Sequence, residues 1–455
     1  MIVSNRLPVS FEKKEGEFVA SSGSGGLVSA LSPLLKKHGG SWVGWLGLSE
    51  EADFKELLGR VETDLGYELH PVSLTEDDIN NYYFGFSNEI LWPLFHGFET
   101  RCNFKRNYYQ SYKSVNRKFA EVISKTSTDE DFVWIQDYQL MEIAKELKAL
   151  GVKRPVGFFL HIPFPPLEIF LKLPWREEIL AGLLEFDIIG VHTPQDAKNL
   201  METIDYLSPS KRIKVGVFPI SIDYEAFNAL ASSENVAKRS WFFHEEYPKQ
   251  KIILGTDRLD YIKGIPERIE GYRLSLEKYP EMQGKVILLQ VLVPSRMAVP
   301  EYESLKTKIE RMIGEVNGQF GVPGWTPIHY FYRNLPFEEL IAYYRAAEIA
   351  LVTSLRDGMN LVAKEYIACN VELNGVLILS EFAGAAGELK EGALIVNPYD
   401  SEAVAEAIYK GFKMSDEEKK SRMSLLRSQV QHKNIDYWLK EFLLAAGHDL
   451  HHTRT

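Results

Sequence analysis

Short apolar runs rich in β-branched residues alternate along this chain with longer amphipathic stretches. The apolar runs predict strands at residues 1–4, 41–45, 132–136, 156–161, 188–192 and 215–220. A second series predicts strands at residues 251–256, 286–293, 328–331, 349–353, 376–380 and 393–396. Helical periodicity lies between them, for example at residues 26–37, 113–125, 266–279, 301–316 and 338–347. Strands separated by helix-length segments pair in parallel and are covered by helices on both faces. Two such series predict an α/β chain of two Rossmann-like, doubly wound parallel-sheet domains facing across a cleft. The seam is expected after Phe218, Pro219 and Ile220, where polar stretches at 232–235 and 244–251 interrupt the pattern. Open sheets of this kind bind ligands beyond the carboxyl ends of their strands. Residues just after strands are therefore the candidates for chemistry.

Composition narrows what such domains could hold. The chain has 455 residues, with 52 Lys+Arg against 63 Asp+Glu and a formal net charge of −11. At roughly 100–200 residues per domain, two large domains fit this length. An acidic chain is neither a general nucleic-acid binder nor drawn to anionic membranes, because both tasks need surplus Lys and Arg. Two cysteines, Cys102 and Cys369, exclude a disulfide scaffold and fit a reducing compartment. The start lacks a basic segment followed by an apolar one, and no apolar run reaches the ~20 residues of a membrane helix. The chain reads as soluble and cytoplasmic; a homo-oligomer is compatible with it but is not specified by it. The tail after Leu444, with His448, His451 and His452, reads as a solvated end rather than a metal site. If the ligands are anionic, the cations that hold them must be local.

Several familiar motifs fail. The stretch Ser22-Gly23-Ser24-Gly25-Gly26-Leu27 is glycine-rich but lacks the GxGxxG spacing, and no GxxxxGK[ST] occurs. His244-Glu245-Glu246 begins a zinc-protease pattern that lacks its second histidine. The acids Asp129 and Asp131 precede a predicted strand instead of following one, and read as a solvated turn.

What remains sits after strands. Gly25 and Gly26 open a predicted helix, whose free N–H groups suit an anion, or simply make a tight turn. Arg6 follows the first strand; its planar fork suits phosphate, though a surface arginine would look the same. His161 ends an apolar strand before a stiff Pro163, Pro165, Pro166 loop, and is either a sugar contact or a satisfied core histidine. Arg258 and Lys263 lie five apart in one strand-to-helix loop, a spacing that suits a diphosphate unless Asp257 and Asp260 pair with them. Arg296 is another cation just past a strand. Asp357, Gly358, Met359, Asn360 and Leu361 lead into a helix, where an acid and free amides could meet sugar hydroxyls and phosphate. Glu365 lies one to two turns in; the alternative is a capping aspartate and an ordinary helical glutamate.

Taken in order, SNRLPV, WVGWLG, NEILWPLFH, GFFLHIPFP, DRLDYIKGIPER, VPSR, LRDGMNLVAKEY and LSEFAGAAGEL resemble the trehalose-6-phosphate synthases, retaining glycosyltransferases of family 20 with the GT-B fold. The resemblance runs from Met1 to about Leu444. It implies an acceptor-binding domain over 1–224, rejoined by 435–455, and a nucleotide-sugar domain over 225–434. It implies transfer of glucose from UDP-glucose to glucose 6-phosphate, with UDP-glucose as co-substrate, no metal and no other cofactor. Matched motif by motif, it implies Arg6, Tyr83, Trp92 and Arg296 around the acceptor phosphate and Asp137 on the acceptor sugar. It places Gly25, Gly26, Arg258 and Lys263 on the donor diphosphate, and His161 and Asp357 on the donor glucose. Gly358, Met359 and Asn360 belong to the donor loop, Leu361 and Val362 line the nucleotide pocket, and Glu365 meets the ribose. One departure stands out: the family's usual HDYHL is Gln136-Asp137-Tyr138-Gln139-Leu140 here, and glutamine keeps hydrogen bonding while losing titration. Residues 97–106 also depart from the usual acidic stretch.

Two other functions fit less of the sequence. A related synthase using glycerol 3-phosphate would share Arg6 and Arg296. A non-catalytic regulatory subunit should have lost donor residues that this chain keeps. In the expected step Arg258 and Lys263 stabilise the charge that develops as UDP departs. Arg258→Ala is therefore expected to lower turnover well beyond about threefold in a steady-state assay, and a variant within that range would contradict the role.

Overall fold

The structure is a computed structural model of the whole chain, and it describes residues 1–14, 17–22, 26–49, 55–295 and 300–448. The chain divides into two compact units, Met1–Ile220 with the stretch from Asp436, and Ser221–Ile435.

The first unit is built on seven parallel strands in the order β5-β4-β1-β6-β7-β8-β9. These are β1 (Ile2–Arg6), β4 (Ser41–Trp45), β5 (Glu68–Val72), β6 (Val133–Gln136), β7 (Val156–Phe159), β8 (Ile188–Val191) and β9 (Lys214–Val217). The central strands β4, β6, β7 and β8 are buried along their whole length, as parallel strands covered on both faces must be. A separate antiparallel hairpin, β2 (Val9–Lys14) with β3 (Glu17–Ser22), follows β1; the hydrophobic pattern did not predict it. Nor did it predict β5, whose Pro71 and Glu68 suit only a sheet edge, where it lies. The helix Ile435–Ala445 closes this unit aromatic against aromatic. Phe442 stacks on Trp134 with centroids 4.5 Å apart, and Trp438 packs on Trp134 at 4.9 Å and on Phe159 at 5.1 Å. Gly190 makes room for it, since a Cβ there would lie 2.8 Å from the Phe442 ring.

The second unit has six parallel strands in the order β12-β11-β10-β13-β14-β15. They are β10 (Lys251–Arg258), β11 (Val286–Val293), β12 (Ile328–Tyr332), β13 (Ile349–Val352), β14 (Val376–Ser380) and β15 (Leu394–Val396). In both sheets the chain reverses direction beside a central strand, β1 in one and β10 in the other, which is where ligands of such sheets gather. The polar stretch at 232–235 is not a gap in the secondary structure. Ser233 ends the helix Tyr224–Ser232 and caps the helix Glu234–Glu246, accepting from the Val236 N–H at 3.4 Å. Among the described residues no helix is long and apolar enough to cross a membrane.

Candidate active site

In the first unit, the carboxyl ends of β1 and β6 carry two groups of candidates. Arg6 is the last residue of β1, not a residue of the loop beyond it, and its register partner is Trp45 at the end of β4. The guanidinium lies 4.7 Å from the centre of the Trp45 ring, which also packs edge-on against Tyr83 at 5.8 Å. Gly47 has φ of 92°, which favours glycine, and a Cβ there would fall within 2.4 Å of three guanidinium atoms and displace the fork. Arg6 stays exposed, yet this crowding lowers its pKa below the usual value, with the Tyr83 hydroxyl acting in the opposite sense. Among the described residues no carboxylate forms an ion pair with Arg6. A charged, pre-oriented fork with no ion pair among the described residues suits an anion. Trp45 and Gly47 lie in the WVGWLG stretch, but nothing in the sequence joined them to Arg6.

Tyr83 lies on Ile79–Leu91, a π-helix whose backbone hydrogen bonds span five residues, as in the bond from the Trp92 N–H to the Ser87 carbonyl. Trp92 starts the short helix after it and is buried, packed 5.7 Å from Tyr138. It therefore lies beside the Asp137 loop.

Asp137 follows β6 with φ of 75°, a left-handed conformation rare for a residue with a Cβ. Its N–H donates to the Phe159 carbonyl at 2.7 Å, and its Oδ1 accepts the His161 N–H at 3.0 Å. The twist thus ties the end of β6 to the loop after β7. His161 sits half-buried beyond β7, its Nε2 2.8 Å from Gln136 Oε1. Burial first, and the nearby His192 second, hold its pKa well below the usual 6.5.

In the second unit, Arg258 ends β10 and is exposed. Its acidic neighbours are occupied elsewhere. Asp257 is buried against Arg268, at 2.6 Å, and Arg268 in turn donates to Thr353 Oγ1 and Gln290 Oε1 at 3.1 and 3.3 Å. Asp260 caps the turn Tyr261–Lys263, accepting from the Ile262 N–H and the Tyr302 hydroxyl, each at 3.2 Å. Lys263 instead reaches across to the other candidate loop, where its Nζ donates to Asp357 Oδ2 at 2.6 Å. Neither the Arg268 anchor nor the Lys263–Asp357 pair was visible in sequence, because each joins residues far apart in the chain.

The loop that carries Asp357 is fixed from three sides. Ser354 Oγ and Asn360 Nδ2 donate to the same Asp357 oxygen, at 3.2 and 3.1 Å. The Asp357 N–H donates to the Phe382 carbonyl, and Gly384 and Ala385 donate back to Asp357 and Met359. Gly384 lets the two loops touch, since a Cβ there would lie 2.0 Å from the Gly358 carbonyl oxygen. Asn360, at φ of 77°, caps the helix Leu361–Cys369 by accepting the Ala363 N–H. The aspartate of this loop is thus not the cap. Leu361 and Val362 occupy the first turn, half-buried. Glu365 accepts from the Tyr344 hydroxyl at 2.8 Å, and burial raises its pKa. Gly26 opens the helix Gly26–His38 of the first unit. Gly25 and Arg296 lie outside the described residues, as do most of the tail histidines.

The family described as Glycosyltransferase family 20 matches residues 1–447. A trehalose-6-phosphate synthase of Mycobacterium tuberculosis (strain ATCC 25618 / H37Rv) is 41% identical over 475 residues, covering 98% of this chain and 95% of its own. An alpha,alpha-trehalose-phosphate synthase (UDP-forming) from Burkholderia xenovorans, solved in complex with glucose-6-phosphate, superposes with a TM-score of 0.89 at 32% identity, covering 98% of this chain and 99% of its own. An E. coli protein of the same kind, bound with UDP-2-fluoro glucose, superposes with a TM-score of 0.87 at 34% identity and 98% coverage of both chains.

The environment of His161 has a consequence for stability. Its folded-state pKa is depressed, so below the unfolded value near 6.5 the unfolded chain binds a proton that the folded chain refuses. The His161 contribution is therefore fully favourable at neutral pH and is lost as the pH falls below 6.5. Between about pH 7.5 and about pH 5.5 the loss is up to about 1.4 kcal/mol. Urea unfolding of the wild type and of His161→Gln should differ in pH dependence by this increment, and parallel curves would contradict it.

Proposed function

This chain belongs to glycosyltransferase family 20, and we propose that it moves glucose from UDP-glucose to glucose 6-phosphate, forming trehalose 6-phosphate and UDP. The observation that carries the reading at residue level is the arrangement at the end of β10. Two cations stand there while both neighbouring acids are committed to Arg268 and to the turn at 261–263. Two basic residues of an otherwise acidic chain are thus gathered at one strand end, one of them joined to the Asp357 loop.

In this reading Arg258 and Lys263 hold the diphosphate, and Lys263, with three N–H donors, can keep Asp357 while meeting phosphate oxygens. Asp357 and His161 grip the donor glucose. Leu361 and Val362 line the nucleotide pocket, and Glu365 accepts from the ribose hydroxyls. Gly25 and Gly26 complete the diphosphate site. Arg6, backed by Trp45, takes the acceptor phosphate with Tyr83, Trp92 and Arg296, and Asp137 takes an acceptor hydroxyl.

The chemical step then breaks the bond from the glucosyl C1 to the β-phosphate oxygen as a bond forms from C1 to the acceptor's anomeric oxygen. Arg258 and Lys263 stabilise the negative charge that grows on UDP, the largest electrostatic demand of the step. The acceptor hydroxyl attacks from the face that UDP leaves, which preserves the configuration at C1, and its proton passes to the departing phosphate. No protein nucleophile is needed. Residues of the chain bind, orient and neutralise; they do not form covalent bonds to sugar.

A glycerol 3-phosphate acceptor is the second reading, and the relative bound to glucose-6-phosphate favours the first. A matrix of nucleotide-glucose donors against phosphorylated acceptors, with mass and linkage identification of products, separates them. The expected result is trehalose 6-phosphate from UDP-glucose and glucose 6-phosphate as the dominant product. A dominant glucosylglycerol phosphate would overturn this assignment.

A further inference from the structure

At the end of β6 this chain carries a glutamine where its family usually has a histidine, and the structure leaves part of that glutamine unaccounted for. Gln136 is fully buried. Its Oε1 lies 2.8 Å from His161 Nε2, while its amide nitrogen is buried with no hydrogen-bond partner. A carboxamide oxygen has lone pairs and no hydrogen, so it only accepts. The ring nitrogen facing it must carry the hydrogen.

The rest of the surroundings does not compete for that nitrogen. From β6, the Asp137 carboxylate takes the backbone N–H of His161, not the ring. From β7 and from the helix Ile435–Ala445, Phe159 and Trp438 offer aromatic faces at 4.7 and 6.3 Å. From β8, His192 is the other titratable ring, 5.3 Å away between centroids. Nδ1 of His161 has no hydrogen-bond partner among the described residues. A neutral imidazole with hydrogen on Nε2 presents a lone pair at Nδ1.

We infer that Gln136 is a positioning residue that commits His161 to the Nε2–H tautomer, so that His161 meets the donor sugar as a hydrogen-bond acceptor through Nδ1. The second half of this statement rests on the reading of His161 as a donor-sugar contact; the tautomer does not. A histidine at 136 could share its hydrogen with His161 in either direction and could itself take up a proton. Glutamine removes both freedoms.

The test uses the full-length protein labelled with 15N-histidine. Long-range proton–nitrogen correlation reads each ring nitrogen as protonated or bare, and His161→Gln identifies the His161 signals. The expected wild-type spectrum has a protonated Nε2 and a bare Nδ1, unchanged from about pH 7.5 to about pH 6. In Gln136→Met, which keeps the shape and loses the acceptor, the two tautomers should interchange. There kcat/KM for UDP-glucose should fall about tenfold while KM for glucose 6-phosphate holds. Gln136→Glu, which restores an acceptor, should restore the Nε2–H signal. A wild-type His161 with hydrogen on Nδ1, or a Gln136→Met spectrum identical to wild type, would overturn the inference. A fixed Nε2–H in a protein that does not turn over UDP-glucose would support the tautomer and overturn the donor-sugar reading.

Discussion

The ion pair between Lys263 and Asp357 is the interaction on which the second unit's site depends. It joins the loop after β10 to the loop after β13, and each partner is held by backbone that admits little alternative. Gly264, at φ of 62°, follows Lys263 immediately, and a Cβ there would lie 2.1 Å from the Thr353 carbonyl oxygen. The Leu355 N–H donates to the Ile262 carbonyl at 2.7 Å, and Thr353 Oγ1 donates to the Gly264 carbonyl at 3.2 Å. Close backbone contact thus brings the charges together, and the charges then lock the contact. A pair with side chains about one-eighth exposed is only partly desolvated, so it can bind tightly without excluding a third, anionic partner.

The first unit reaches a similar end with different means. Its cation, Arg6, is held by an aromatic face and a missing side chain at Gly47 instead of by a carboxylate. Both units also place a strained residue at the decisive turn, Asp137 at φ of 75° and Asn360 at φ of 77°. Only one other described non-glycine residue, Leu373, has positive φ, so strain is concentrated where side chains must be aimed. In each case local hydrogen bonds hold the turn: Asp137 to Phe159 and His161, and Asn360 to Ala363 and Asp357. A net charge of −11 is therefore compatible with the proposed phosphate chemistry, because Arg6 and Lys263 are each fixed locally.

What could be read from the sequence follows from range. Buried parallel strands such as β7 and β11 announce themselves as apolar runs, so the alternation of strand and helix, and hence the fold class, was legible. The edge strand β5 was not, since partial exposure leaves its residues mixed, and neither was the β2–β3 hairpin. The motif loops were legible as clusters of charge and glycine after strands. Their wiring was not: Asp257 finds Arg268, and Lys263 finds Asp357, only once the sheet sets their distances. Trp45 and Gly47 were missed for the same reason, because β4 lies beside β1 only in the fold. Gln136 could be noticed as a departure from its family, but what it does to His161 needed the parallel pairing of β6 with β7.

Lys263, in the turn just past β10, is proposed to hold the donor's diphosphate. Calorimetric titration of wild type and Lys263→Ala with UDP and, separately, with uridine tests it most directly. UDP affinity should fall about tenfold to a hundredfold, the range of a lost charge-assisted hydrogen bond, while uridine affinity is unchanged. Equal losses for both ligands, or no loss for UDP, would contradict it.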